Sequence, residues 1–471
     1  MALRRHYRLQ DLRRSLLSFA IIFVSLTSSW GTSFSQTDGS SPTTNPVDLQ
    51  VLHEMMYSLN FEEDWNTYFP DPCVSGPQGI LCEPDPVTGV LFVTQLQFGY
   101  ISPIDNIIPC SFNASIPSSI AKLTRLDTLA FYSCFVNSTA TIPEEITLLG
   151  PTLRLLSLRR NPSLTGTIPA GIGKLTGLQR LVLSQNGLQG EIPAELSNLQ
   201  NLIQLDLSHN NLSGSIPATL STMDSLVNLD LRYNQLDGEF PAGLGQGFGH
   251  LQRLAASYNK LSGSLPDTFT GLKYLTFLDL SYNHLMGNLP PSLGNLANLQ
   301  DLFLNSNSLD GEIPESLGSL IPLKRLDLSS CGFVGLIPDS LKGLQNLRYL
   351  SVSNNHLSGP IPASLASLPV LFTLNLDGNQ LSGAVPFPSS FIQKMGRNML
   401  LNGNPGLCYT PQLVTIKMLL GLNQCPDLQV SAPVPTAPAP ATSPNGSWKL
   451  TISFQLGIVV LVSHLLLLHA I

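Results

Sequence analysis

Positive charge is scarce in this chain. Only 24 of its 471 residues are Lys or Arg, against 31 Asp or Glu, and the formal net charge is −7. An acidic surface of this kind is a poor generic binder of nucleic acid or pectin, so nucleic acid is excluded as a partner. Complete catalytic motifs are also missing. His53-Glu54-Met55-Met56-Tyr57 lacks the second His of a zinc-protease helix. Gly243, Gly245, Gly247 and Gly249 alternate, but no strand pattern precedes them and Pro241 assigns them to a repeat loop, which excludes a phosphate cradle. Fewer than fifty residues follow Cys425, too few for a kinase domain. The expectation is a protein that is not an enzyme and holds no cofactor and no metal.

What the chain does have is one pattern copied about twelve times between Ser115 and Leu407. Pro169, Pro193, Pro217, Pro241, Pro266, Pro290, Pro314, Pro338, Pro362 and Pro386 mark the copies, mostly 24 residues apart. Leu202 to Pro217, LIQLDLSHNNLSGSIP, shows the unit without a gap. A leucine-rich unit of this period cannot bury its apolar side alone and must stack on its neighbours. The fold expected is an α/β solenoid, a curved rod with disulfide-closed caps. Pairs such as Leu205 and Leu207, or Leu278 and Leu280, read as short strands lining one parallel sheet on a concave face. Three residues past the second leucine stand Asn161, Asn186, Asn210, Asn234, Asn259, Asn283, Asn307, Asn355, Asn379 and Asn404. A carboxamide both donates and accepts, so these form a ladder satisfying backbone groups where the strand turns away. Cys134 and Cys331 occupy the same slot in their copies.

The Gly-x-Ile-Pro element and the 24-residue step resemble the plant extracellular class of leucine-rich repeats, found in receptor kinases, receptor-like proteins and polygalacturonase inhibitors. The resemblance covers about two thirds of the chain. Asp71-Pro72-Cys73, Asn161-Pro162-Ser163-Leu164, and the ending Val385-Pro386-Phe387 to Asn404-Pro405-Gly406-Leu407-Cys408 are similar to the short receptor-like proteins that lack a kinase. Receptor kinases of this class that hold peptide C-termini are expected to use an Arg-x-Arg pair. None occurs outside the leader, so that mode of capture is not expected.

Six segments follow from composition. Residues 1–35 read as a signal peptide, with Arg4, Arg5, Arg8, Arg13 and Arg14 before the apolar run Leu16 to Leu26. Residues 36–110 form an N-terminal capping region in which Val47 to Leu59 reads as a helix. The repeats take 111–407 and a C-terminal cap 408–429. Residues 430–447 are a Pro/Ala/Ser stalk, and 448–471 an apolar tail with no cation after it. Small residues at Asn445 and Gly446, a polar spacer and that tail match a glycolipid-anchor signal attached at Asn445, with a transmembrane helix as the alternative. Losing a leader that carries five Arg and Asp11, and a tail that carries Lys449, takes the formal charge from −7 to about −12. Cys73 with Cys82, and Cys408 with Cys425, are expected to close the caps; Cys110 and Cys134 either pair or leave Cys134 a thiol, and Cys331 remains free. Asn113, Asn137 and Asn211 head glycosylation sequons.

The column just before the ladder carries His209, Tyr233, Tyr258 and Tyr282 in four successive copies, with Phe277 and Phe303 in adjacent columns. Rings about 4.8 Å apart would form a contiguous patch of the kind protein interfaces use, unless tyrosine there only shields the ladder. Arg154, Arg159, Arg160 and Arg180 form a second, basic candidate; Asp206, Asp230, Asp279 and Asp327 read as a solvated face. The function expected is a receptor-like protein at the extracellular face of the plasma membrane. It would bind a peptide or protein ligand and signal through a receptor-kinase ectodomain. The alternative is an inhibitor of a wall hydrolase such as polygalacturonase.

Overall fold

The computed structural model describes residues 42–59, 65–99, 110, 113–137, 139–241, 243, 248–416 and 421–426. The leader, the stalk, the tail and Asn445 lie outside them. The chain divides into two units, Met1–Cys425 and Pro426–Ile471, and the description below concerns the first.

The leucine pattern produces one long sheet of fourteen strands. Ile80–Pro84 and Leu91–Gly99 pair antiparallel, and every later strand joins in parallel and in chain order, from Thr128–Tyr132 to Met399–Leu400. Twelve strands follow the antiparallel pair, one per expected copy. Register keeps like with like: Leu205, Leu229, Leu254, Leu278, Leu302, Leu326, Leu350 and Leu374 are successive partners, all fully buried. The prolines have a local task on the opposite side. Pro169, Pro193, Pro217, Pro290, Pro314, Pro338 and Pro362 each cap a short 3-10 helix with φ between −60° and −70°, the range the pyrrolidine ring imposes.

Between strand and outgoing segment every coil turns the same corner. The residue before the ladder slot has positive φ, from Ser133 at 53° and Arg160 at 59° through Tyr258 at 58° to Asn354 at 54°, and the last two corners use Gly378 and Gly403. An L-residue held there costs about 1 kcal/mol, so the corner must be fixed from outside. Two ladders fix it. The corner amide donates to the next coil, as Tyr258 N does to Ser281 O at 3.0 Å and Tyr282 N to Asn305 O at 2.9 Å. The asparagine that follows ties the backbone groups of two successive coils together. Asn283 accepts from Leu261 N at 3.0 Å and donates through Nδ2 to Ala256 O at 3.0 Å and Leu280 O at 3.1 Å.

Both ends of the solenoid are covered. The helix Pro46–Ser58, capped by Asn45, lays Val51, Leu52, Met55 and Met56 on the first layer, and Asp48 accepts from Val93 N at 2.9 Å. At the other end Asn423–Gln424 pairs beside Gly406–Tyr409. Disulfides join Cys73 to Cys82, Cys110 to Cys134 and Cys408 to Cys425. Cys134 is therefore a bridge inside the ladder column, and the ladder passes it by: Asn161 Oδ1 accepts from the amides of both Cys134 and Phe135.

Cys331 is the one weak rung. It is free and half-buried, and burial pushes its thiol up to about 11. Its sulfur makes only long contacts of 3.6 Å to Leu304 O and Ser329 O, and the amide of Leu309, counterpart of the Leu285 amide that Asn307 accepts at 3.0 Å, faces sulfur in place of a carboxamide oxygen. Replacing Cys331 by Asn supplies that acceptor. Cys331→Asn is expected to stabilise the protein by about 1 kcal/mol in thermal or denaturant unfolding, whereas Cys331→Ala gains nothing.

Candidate ligand-recognition face

The corner is also what assembles the aromatic residues. Because each coil turns at the same backbone position, His209, Tyr233, Tyr258 and Tyr282 leave the sheet in the same direction and stack. Ring centroids lie 4.2 Å apart for His209–Tyr233, 4.3 Å for Tyr233–Tyr258 and 4.1 Å for Tyr258–Tyr282, with planes within 13° of parallel. Tyr233 and Tyr258 are 39% exposed and Tyr282 44%. Stacking spreads over three ring pairs, each worth roughly 0.5–1.5 kcal/mol beyond area burial, which offsets the strain of the left-handed corners beneath. Burial, and then the adjoining Arg232 charge, hold the His209 imidazole below its ordinary 6.5. Burial, and then Tyr233, push the Tyr258 hydroxyl upward, which keeps that ring neutral at physiological pH.

Phe277 and Phe303 sit nearer the middle of the sheet, in the first and third positions of adjacent strands, with centroids 5.8 Å apart. Both are half-buried beneath cations. The Arg253 guanidinium lies 3.6 Å from the Phe277 centroid, and that of Arg325 lies 5.0 Å from Phe303 while pairing with Asp301. Arg232, in the third outward column, grips Asp230 with contacts of 2.9, 3.1 and 2.7 Å. Sequence reasoning missed these three arginines. Following the first and third outward columns from strand to strand, rather than only the column before the ladder, would have found them.

The basic candidate is dispersed. Arg180 pairs in register with Leu155, Arg154 reaches Asp127 at 3.4 Å, and Arg160 donates to the Tyr132 hydroxyl at 2.9 Å. Arg160 stands in the same corner column as the tyrosines, with Gln185 between it and His209. Arg159 ends its strand one residue earlier and is half-buried. The Asp column is not the solvated face expected. Asp206, Asp279 and Asp327 each accept from the hydroxyl, at 2.6 Å, and the amide of a serine two residues on, and Asp230 is buried. An aspartate there closes the strand end just before the corner, a local turn its short side chain reaches. Asn113, Asn137 and Asn211 are exposed.

Among the described residues no group of three His, Cys, Asp or Glu could hold a metal, and no helix is long and apolar enough to cross a membrane. What remains is a half-exposed aromatic and charged surface on a rigid sheet. Leucine-rich-repeat family models match residues 177–199, 201–223, 225–246, 250–272, 274–296, 298–320 and 321–381. The fold is a leucine-rich-repeat solenoid. It is similar to plant leucine-rich-repeat receptor-like proteins: Receptor like protein 29 of Arabidopsis thaliana is 39% identical over 144 residues, which is 30% of this chain and 30% of the relative. The solenoid resembles the plant peptide hormone receptor RGFR1 in complex with RGF2, at 35% identity and TM-score 0.54, over 63% of this chain and 50% of that one. It also resembles the PEPR1-AtPEP1 structure, at 29% identity and TM-score 0.63, over 77% and 52%. The chain spans about a third of the length of the curated relatives it matches.

One consequence of the buried aspartates is measurable. Burial, reinforced by the charge of Asp230, raises Asp206 above its ordinary 3.8. A carboxyl raised on folding binds its proton more tightly in the folded state, so its effect on stability turns unfavourable as pH rises through the folded-state value. Asp206→Asn keeps an acceptor for Ser208 and removes that penalty. The variant is expected to melt above the wild type at pH 7, with the difference closing as pH falls toward 3.8.

Proposed function

We propose that the long-sheet face centred on Tyr233, Tyr258, Tyr282, Phe277 and Phe303 is the recognition surface for a peptide or protein ligand. The chain then acts as a non-enzymatic receptor-like subunit at the extracellular face of the plasma membrane. It is held there by a glycolipid at Asn445 and signals through a partner receptor kinase. The observation that carries this is the unbroken stack from His209 to Tyr282, flanked by arginines already laid over phenylalanines. Interfaces concentrate their energy in such rigid aromatic and arginine clusters. Likeness to a structure described as a plant peptide hormone receptor in complex supports a ligand of that class. Arg159 and Arg160 belong to this surface as its N-terminal margin.

The experiment uses the full chain displayed on plant cells. A phosphatidylinositol-specific phospholipase should release it, and surface crosslinking before release should capture a receptor-kinase ectodomain. Tyr258→Ala and Phe303→Ala should each weaken capture by at least about 1 kcal/mol of binding energy, roughly fivefold, while Lys174→Ala on the helical side changes nothing. Capture that survives both aromatic truncations but fails in Arg160→Ala would move the site to the basic margin. Capture of a wall hydrolase with loss of its activity would establish the inhibitor instead.

A further inference from the structure

The tyrosine stack has a closed end and an open one. His209 covers Tyr233 at the first. At the other, the corner column drops from Tyr282 to Ser306 and then Ser330. One face of the Tyr282 ring rests on Tyr258; among the described residues no ring or guanidinium lies on the other, and Tyr282 is the most exposed of the three tyrosines. The surface therefore has a step, with the free face of Tyr282 as its wall and Ser306 as its floor.

The chain itself shows what covers an aromatic face here. Guanidinium groups lie 3.9 Å from the centroid of Phe92, 3.6 Å from Phe277 and 5.0 Å from Phe303, each supplied by an arginine of the same solenoid. A guanidinium is planar and more weakly hydrated than an ammonium, so it lies flat on an aromatic face more readily. Charge favours the same group. The strands and corners of the three coils around the step, residues 277–282, 301–306 and 325–330, carry Asp279, Asp301 and Asp327 against Arg325 alone. Arg325 pairs with Asp301, and Arg232 and Arg253 of the preceding coils act on Asp279, so Asp327, in the coil beyond Ser306, is the carboxylate left without a Lys or Arg ion pair among the described residues. A neutral aromatic would fill the step without answering that surplus.

From these observations we propose that the step is a subsite for one arginine side chain of a peptide or protein ligand, its guanidinium lying on the free face of Tyr282 above Ser306 and continuing the stack. The subsite rests on the reading of the long-sheet face as the recognition surface. A useful consequence is that the site can be closed without disturbing the fold. Ser306 has φ 58°, and the same slot already holds tyrosine at φ 55° to 58° in three preceding coils, so Ser306→Tyr adds one more ring to the stack.

The probe is a blocked Gly-Arg-Gly tripeptide, compared with its lysine and citrulline counterparts against the full chain at fixed ionic strength by ligand-observed NMR. Binding of the arginine peptide is expected to exceed that of the other two roughly tenfold, to fall at least about tenfold in Ser306→Tyr and in Tyr282→Ala, and to persist in Ser306→Ala. Thermal unfolding of Ser306→Tyr at or above the wild-type midpoint confirms that the stack was extended. Arginine binding that survives Ser306→Tyr, equal binding of the lysine peptide, or no binding of any peptide overturns the subsite. Partner capture kept by Ser306→Tyr but lost in Tyr258→Ala removes the subsite and leaves the recognition face standing; capture that survives Tyr258→Ala and Phe303→Ala removes the face itself.

Discussion

The solenoid depends on a two-residue corner, a left-handed residue followed by a carboxamide. Stacked leucines supply most of the driving force, but they are indifferent to how each coil leaves the sheet. The corner decides that. It forces backbone into a region L-residues avoid, and it is tolerated because its amide and the asparagine beside it are bonded to the neighbouring coil. No coil can turn correctly unless its neighbour does, so the ladder carries the cooperativity of an otherwise one-dimensional stack.

The same constraint shapes the surface. A residue at a left-handed corner has its side chain direction fixed by the backbone, and a column of such residues is fixed in parallel. Ring planes within 13° of one another follow from the corner geometry with no further packing device. A recognition surface built this way needs little ordering when a ligand arrives, which favours affinity by lowering the entropy lost on binding. It also explains why shielding and recognition need not compete as roles for tyrosine in this column: the ring faces cover one another along the ladder, while edges and hydroxyls remain exposed.

Much of the architecture was legible in the sequence because repetition turns weak local signals into strong ones. The leucines, the ladder asparagines and the proline ticks each recur at fixed offsets, and the sheet register follows from aligning them. The left-handed corner was not legible. Tyr, Arg, Gln and Ser at that position carry none of the glycine signature that marks Gly378 and Gly403, and only the fold reveals that all twelve share one conformation. Asp206 and its column misled for a related reason: an acidic residue alternating with leucine reads as solvated, whereas its side chain is turned back onto the serine two residues ahead. The arginines over Phe277 and Phe303 were hidden because each contact joins residues about 24 apart, visible only once strands are laid side by side.

The claim that the corner and its ladder hold the face together is tested most directly by amide hydrogen exchange on Asn283→Leu. The substitution keeps the branched four-heavy-atom skeleton of the side chain and removes the acceptor of Leu261 N and the donor to Ala256 O and Leu280 O, a loss of about 1–3 kcal/mol. Faster exchange should appear at the corners of the neighbouring coils, at Tyr258, Tyr282 and Ser306, as well as at the mutated rung. Exchange at those three amides unchanged from the wild type would contradict the account.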